Sequence, residues 1–328
     1  MKVQLWILVI AAMAVSGVQA SSSSVLYQQD FETLLVSEGF PPNSVSDDGW
    51  LVFGNVYREP TDLIPINSYG PFLAPNGTGG FCAVEQGQGG ANQGVQQFSI
   101  FSDYNNFTPH IAGQYVESLV FQERTIVADD IGSTVVLSFD AKRGLIDGET
   151  TATAFFKTLD PMSSFATTNE VELDTTNLPN TWARYEIALD LSDPMLEGQI
   201  LQFGFANIAT SFEGSSMFYD NVEMIRVVDS DGDGIVDSAD NCSATANPDQ
   251  RDTDGDSIGN ACDADLNNDC AVNFEDLGSL KAVFFSDDAN ADLDGDGAVN
   301  FTDLGIMKEG FFAAPGPSGL ENICEGTD

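Results

Sequence analysis

Carboxylates at alternate positions are what a hard divalent cation needs, and the last hundred residues repeat that spacing four times. A twelve-residue calcium loop takes oxygen side chains at positions 1, 3, 5, 9 and 12, and a backbone carbonyl at position 7. Asp229, Asp231, Asp233, Asp237 and Asp240 meet the pattern, with Gly234 at the sixth position, where the chain must turn sharply. Asp252, Asp254, Asp256, Asn260 and Asp263 meet it again. So do Asp265, Asn267, Asp269, Asn273 and Asp276. The fourth set is Asp292, Asp294, Asp296, Asn300 and Asp303, with Gly297 at position six. A solvated acidic linker would hold no such phase. Two carboxylates about 4 Å apart repel by roughly 4 kcal/mol at an effective dielectric of 20. Each loop gathers several, so a divalent cation is expected to hold it closed. Oxygen-only donors with flexible geometry favour Ca²⁺ over Mg²⁺, and no His or Cys cluster with zinc spacing is present.

Charge supports the same division. The chain carries 51 acidic and 11 basic residues, and residues 229–328 hold 24 of the acids and 3 of the bases. Nucleic acid is excluded as a partner, because phosphate binding needs a basic surface. Other chemistry is sparse. The sole histidine, His110, lies between Pro109 and Ile111 and reads as structural. There is no nucleophile elbow, phosphate loop or zinc motif. A glycosidase needs only two carboxylates, so a polysaccharide-degrading hydrolase or lyase stays open as an alternative. The reading taken is non-catalytic.

The elements that must position these loops come in two kinds. After the third and fourth loops, NFEDLGSLKAVFF and NFTDLGIMKEGFF align, with apolar residues at helical spacing. Leu277, Leu280, Val283, Phe284 and Phe285 would line one helix; Leu304, Met307, Phe311 and Phe312 the other. Neither half buries its stripe alone, so the two are expected to pack antiparallel. The first and second loops are followed by almost no apolar residues, so no helix is expected there. Upstream, residues 21–228 read as strands. Val25–Phe31, Ser133–Ala141, Ala152–Lys157, Trp182–Leu189, Leu201–Ala206 and Met217–Ile225 are rich in β-branched and aromatic residues between Gly, Asn, Asp and Pro. The fold class is therefore mainly β, a jelly-roll sandwich head with a calcium-loop stalk and a small helical module behind it.

Lys2, the apolar run Leu5–Val15 and the small residues Val18 and Ala20 read as a secretory signal peptide over residues 1–20. No stretch is long enough to span a bilayer. An extracellular chain, free or held at the cell surface, follows as the expectation, and export permits disulfides. Of five cysteines, Cys82 stands apart in the head and reads as a buried free thiol.

Three resemblances sharpen this reading. Asp240-Asn241-Cys242, Asn247-Pro248-Asp249-Gln250 and Asp252-Thr253-Asp254-Gly255-Asp256 through Cys262-Asp263 resemble a thrombospondin type 3 repeat over residues 229–263. That resemblance implies a rigid calcium-wrapped stalk with Cys242 bonded to Cys262. The paired loop–helix repeats over 264–314 resemble a dockerin module of EF-hand type. Cys270 and Cys324 would close its ends, and 315–328 would form an extended tail. The dockerin resemblance implies a cohesin-like or surface-protein partner. That partner would be read by loop positions ten and eleven, here Phe274-Glu275 and Phe301-Thr302. The other reading is a calcium-stapled cap without a partner. Asp30-Phe31-Glu32, Thr181-Trp182 and Phe218-Tyr219-Asp220-Asn221-Val222 resemble carbohydrate-binding jelly-roll modules. The resemblance implies a polysaccharide ligand and a structural calcium held by Glu32 and Asp220. Trp50, Tyr57, Tyr69 and Tyr104 lie near loop-rich segments and are the candidates for stacking on a sugar, while Trp182 is expected in the core. A structural or adhesive surface protein is the competing function.

Overall fold

The computed structural model describes residues 24–36, 44–77, 79–322 and 324. The expected signal segment lies outside them. Residues 24–228 form one compact unit and residues from 229 onward belong to a second.

The head contains twelve strands among the described residues: β1 (Ser24–Gln29), β2 (Leu51–Tyr57), β3 (Asn67–Leu73), β4 (Cys82–Gln86), β5 (Gln96–Ile100), β6 (Tyr115–Thr125), β7 (Ser133–Ile146), β8 (Thr151–Asp160), β9 (Ala166–Asp174), β10 (Ala183–Asp190), β11 (Ile200–Ala209) and β12 (Ser215–Val228). A short helix α1 (Phe107–Ile111) precedes β6. One sheet runs β10-β7-β12-β5-β4, with β1 also pairing β12; the other runs β3-β2-β6-β11-β8-β9. Every pairing is antiparallel. The head is thus a mainly β sandwich.

Alternation of burial along each strand makes the sandwich. In β2, Val52, Gly54 and Val56 are buried while the residues between them are half-exposed. In β10, Ile187 and Leu189 point inward and their neighbours face water. The core between the sheets is aromatic. Phe205 stacks on Tyr219 with centroids 3.7 Å apart, and Trp50 lies 5.0 Å from Phe98. The polar ends of these rings are satisfied: Trp50 Nε1 donates to Tyr27 Oη at 2.9 Å. Cys82 is buried and free. Burial pushes its thiol above the usual range. In β12 the register with β7 slips between Asp220 and Glu223, and Asn221 sits at φ 46°. This bulge re-aims the side chains around Asp220.

The second unit has a small apolar core of Ala264, Val272, Leu280, Ala291, Leu293, Val299 and Met307. Helices α2 (Phe274–Ala282) and α3 (Phe301–Glu309) follow the third and fourth loops. Both are shorter than the apolar spacing suggests. Beyond them Phe285 and Phe312 turn into the left-handed region, at φ 67° and 68°. There the backbone takes sheet-like partners instead: Phe285 N donates to Val299 O at 2.7 Å and Phe312 N to Val272 O at 2.8 Å. Each repeat's end is thereby tied to the other repeat's loop, and Phe285 and Phe312 stand in solvent. Two disulfides are present, Cys242–Cys262 and Cys270–Cys324. The segment after α3 folds back on the first loops: Gly316 N donates to Cys262 O and Gly319 N to Asp240 O, at 3.1 and 2.8 Å.

Candidate functional site

Each of the four loops draws carboxylate oxygens together. Asp229, Asp231 and Asp233 form one group; Asp252, Asp254 and Asp256 a second; Asp265, Asp269 and Asp276 a third; Asp292, Asp294 and Asp303 a fourth. Within each group the ligand atoms lie within 4.8 Å of one another. The loops share one backbone design. The position-one carboxylate accepts two amides from its own turn: Gly232 and Gly234 at Asp229, Gly255 and Ser257 at Asp252, Asp269 and Cys270 at Asp265, Gly295 and Gly297 at Asp292. Position six is left-handed in all four, at Gly234, Ser257, Cys270 and Gly297, with φ of 96°, 76°, 68° and 90°. Position four is also left-handed, at Gly232, Gly255, Asn268 and Gly295. Side chains with a Cβ rarely adopt this conformation, so Ser257 and Cys270 hold the turn against their own preference.

The loops fit a hard cation on two observations. The donor set is oxygen throughout, and three buried carboxylate oxygens have no hydrogen-bond partner: Asp231 Oδ2, Asp240 Oδ2 and Asp276 Oδ1. Such orphans are costly unless something positive meets them. Burial first, then neighbouring carboxylates, push Asp263 up to about 8. The same causes raise Asp256, Asp276 and Asp294.

Position nine also serves the backbone. Asn273 Oδ1 accepts Glu275 N at 2.8 Å and Asn300 Oδ1 accepts Thr302 N at 2.8 Å, so both cap helices. Asp276 and Asp303 complete the capping boxes by accepting the amides of Asn273 and Asn300. Asp237 and Asn260 instead accept the amides of Ser230 and Thr253 across their loops. Position twelve divides the loops into two kinds. Asp276 and Asp303 reach back to a helix start. Asp240 and Asp263 reach forward to the amides of Cys242 and Asp265. Asn267 and Asp296 keep to local turns, accepting the amides of Asp269 and Ala298.

In the head, Asp220 is buried, its Oδ1 accepts Asn221 N at 2.7 Å, and its Oδ2 has no partner. Burial, then the carboxylates of Asp140, Glu32 and Asp30, push it up to about 8. Glu32 Oε1 accepts the amides of Val95 and Gln96 at 2.7 and 2.8 Å. Asp140, which sequence reasoning did not single out, faces Asp220 across the β7–β12 pairing. Its Oδ2 accepts Gln93 Nε2 and Asn221 Nδ2 at 2.7 and 2.8 Å. The two predicted ligands are therefore brought near one another, without the tight convergence of the tail loops.

The aromatic candidates are scattered. Trp50 is fully buried in the core, which corrects its expected place on a sugar-facing surface. Tyr69 packs against the core and donates to Asp103 Oδ2 at 2.8 Å. Tyr104 donates to Glu213 O at 2.5 Å and stacks beside Phe101 and His110 at one end of the sandwich. Tyr57 alone stands on a sheet face, donating to Glu117 Oε2 at 3.1 Å. Trp182, expected in the core, is half-buried; its Nε1 donates to Gln88 O at 2.9 Å and Lys142 Nζ lies 5.2 Å from its ring.

The face Tyr57 stands on is apolar at its centre. Residues paired across strands share a face. Phe155, Gly204, Phe121 and Leu51 form one row; Thr153, Ala206, Leu119 and Phe53 form the next. These side chains make a cluster separate from the core, on the outer side of the β3–β9 sheet. Asn55, Glu117, Gln202 and Lys157 lie in the flanking rows. Lys157 Nζ sits 4.8 Å from the Phe155 ring.

No protein-family model and no curated protein matches the chain. Several solved structures are similar to it. The CBM22-1 xylan-binding domain from Paenibacillus barcinonensis Xyn10C shares 11% identity over 64% of this chain and 99% of that one, with a TM-score of 0.33. A cyclase from Fischerella sp. TAU shares 14% over 62% and 98%, with a TM-score of 0.36. A family 16 carbohydrate binding module-2 shares 12% over 45% and 86%, with a TM-score of 0.29. The xylan binding and the cyclase are those proteins' own. Among the described residues no helix is long and apolar enough to cross a membrane.

Proposed function

We propose that this is an exported, calcium-dependent, non-catalytic binding protein whose second unit folds around four Ca²⁺ ions. The observation that carries the reading is the repetition of one loop geometry four times, each with carboxylates converging within 4.8 Å. Asp229, Asp231 and Asp233, with Asp240, would hold the first ion, and Asp252, Asp254 and Asp256, with Asp263, the second. Asp265, Asp269 and Asp276 would hold the third; Asp292, Asp294 and Asp303 the fourth. Calcium supplies charge neutralisation only, and affinities on the order of 0.1–1 mM suit an extracellular module. The two kinds of position-twelve contact support keeping the thrombospondin type 3 and dockerin resemblances apart, one for each pair of loops. Titration calorimetry with native mass spectrometry on the whole chain tests this: four bound calcium ions are expected, and a chain that binds none overturns it.

For the head, the outer face of the β3–β9 sheet supports glycan binding. It joins an apolar centre to a rim of Asn55, Tyr57, Glu117 and Gln202, the mixture that a sugar ring with C–H faces and hydroxyl edges requires. Glu32 and Asp220 would hold a cation beside the bulge of β12. Retention on insoluble polysaccharides, lost on Phe53→Ala and Tyr57→Ala, is the expected result. Unchanged retention by both variants would favour an adhesive head that uses another surface.

A further inference from the structure

The second and fourth loops are joined by a set of hydrogen bonds that all run one way, from donors at the second loop to carbonyls at the start of the fourth. Arg251, immediately before Asp252, sends Nη1 to Ala289 O at 3.1 Å. Its Nη2 reaches Asp292 O at 2.5 Å and Leu293 O at 3.2 Å. Thr253 Oγ1 donates to Ala289 O at 3.1 Å, and Asn260 Nδ2 donates to the same oxygen at 2.9 Å. The donors are themselves fixed by the second loop: Asn260 N donates to Arg251 O at 2.8 Å, and Asn260 Oδ1 accepts Thr253 N at 2.8 Å. On the receiving side, Asp292 is position one of the fourth loop, and Arg251 Nη1 lies 3.9 Å from its Oδ2. Gly295 leaves the room: a Cβ there would stand 3.3 Å from Arg251 Nη2.

From this we infer that Arg251 is a positioning residue that makes the second and fourth loops fill as a coupled pair. An ion in the second loop fixes Asp252 through Asn260. That aims Arg251, Thr253 and Asn260 at the carbonyls of 289–293, and so sets the backbone that carries Asp292 and Asp294. Reciprocity follows: an ion in the fourth loop tightens the second by the same factor. The inference rests on reading the loops as calcium sites.

A reporter confined to the fourth loop separates the two ideas. Residues 229–328 contain no Trp or Tyr. Ala298→Trp, at the exposed seventh position of the fourth loop, would sensitise terbium luminescence there. In this full-length background, terbium alone is titrated into four proteins: parent, Arg251→Ala, a second-loop knock-out (Asp254→Asn with Asp256→Asn), and the combination. The expected result is a rise of about tenfold in the fourth loop's half-saturation for Arg251→Ala and for the knock-out, with the combination no worse than either alone. Thr253→Val, which deletes one hydroxyl, should shift it the same way by less, and guards against an Arg251 variant that merely fails to fold. An unmoved half-saturation in the knock-out, or fully additive shifts, overturns the coupling while leaving the calcium reading intact. No luminescence in the parent overturns the calcium reading and the coupling with it.

Discussion

The head and the second unit solve the problem of cohesion in opposite ways. The head buries a continuous aromatic core between two sheets, with Trp50, Phe98, Phe139, Phe205 and Tyr219 in mutual contact. It needs no disulfide; its only cysteine is free. The second unit has seven fully buried apolar side chains in its cluster, two disulfides and four knots of carboxylates. Apolar burial is worth about 25 cal/mol per Å² and needs no partner from outside. Clustered carboxylates oppose folding until a cation arrives. The first unit should therefore fold by itself, and the second only in the presence of its ligand.

That contrast can be broken in several places. The largest effect is expected from chelation. EGTA should render residues 229–328 protease-sensitive while the Tyr and Trp bands of the near-ultraviolet spectrum, which the second unit lacks, stay unchanged; protection of the second unit in EGTA would refute the division. Next, Phe139→Ala should remove about 3–5 kcal/mol from the head through a cavity at its centre. Denaturant melts should show that loss, with calcium affinity untouched. Replacing Cys242 and Cys262 together by Ser should remove roughly 3 kcal/mol from the second unit alone, read from its own melting step in saturating calcium. Asn300→Ala should lower that step by about 1 kcal/mol while all four ions still bind. A lost ion would mean that Asn300 is a ligand rather than a cap. The smallest effect concerns His110 in the head. Burial holds its pKa below the ordinary value, so the neutral ring is the folded form. Its contribution is present above about pH 6.5 and is lost as the pH falls through the folded pKa. His110→Gln should flatten that part of the head's pH–stability curve, and a slope identical to the parent's would count against it.

The four acidic loops were legible because their geometry is local. Twelve residues contain the ligands, the left-handed turn and the cap, so Asp292 to Asp303 could be read without knowing what packs beside them. Even there, position nine holds a second role that the loop pattern does not announce: Asn273 and Asn300 accept an amide at a helix start. The head resisted because its surfaces depend on register. Phe155, Phe121 and Phe53 are far apart in sequence and meet only when β8, β11, β6 and β2 line up. Trp50 and Trp182 exchanged their expected places for the same reason. Trp50 enters the core at the start of β2, whereas Trp182 precedes β10, where Gln88 and Lys142 hold it at the surface. Phe285 and Phe312 continue the helical spacing in sequence, yet the backbone leaves the helix to pair with the opposite repeat.

The Cys270–Cys324 link has a practical corollary. It closes a covalent ring around both helices and the whole fourth loop, and Cys242–Cys262 closes a smaller ring around most of the second. A peptide bond cut inside either ring releases nothing, so a nicked molecule would migrate intact until a thiol reductant is added. Apart from the four residues after Cys324, only the stretches before Cys242 and between Cys262 and Cys270 can be severed to part the chain, which makes a reducing and non-reducing gel of the same digest a map of where proteases first enter.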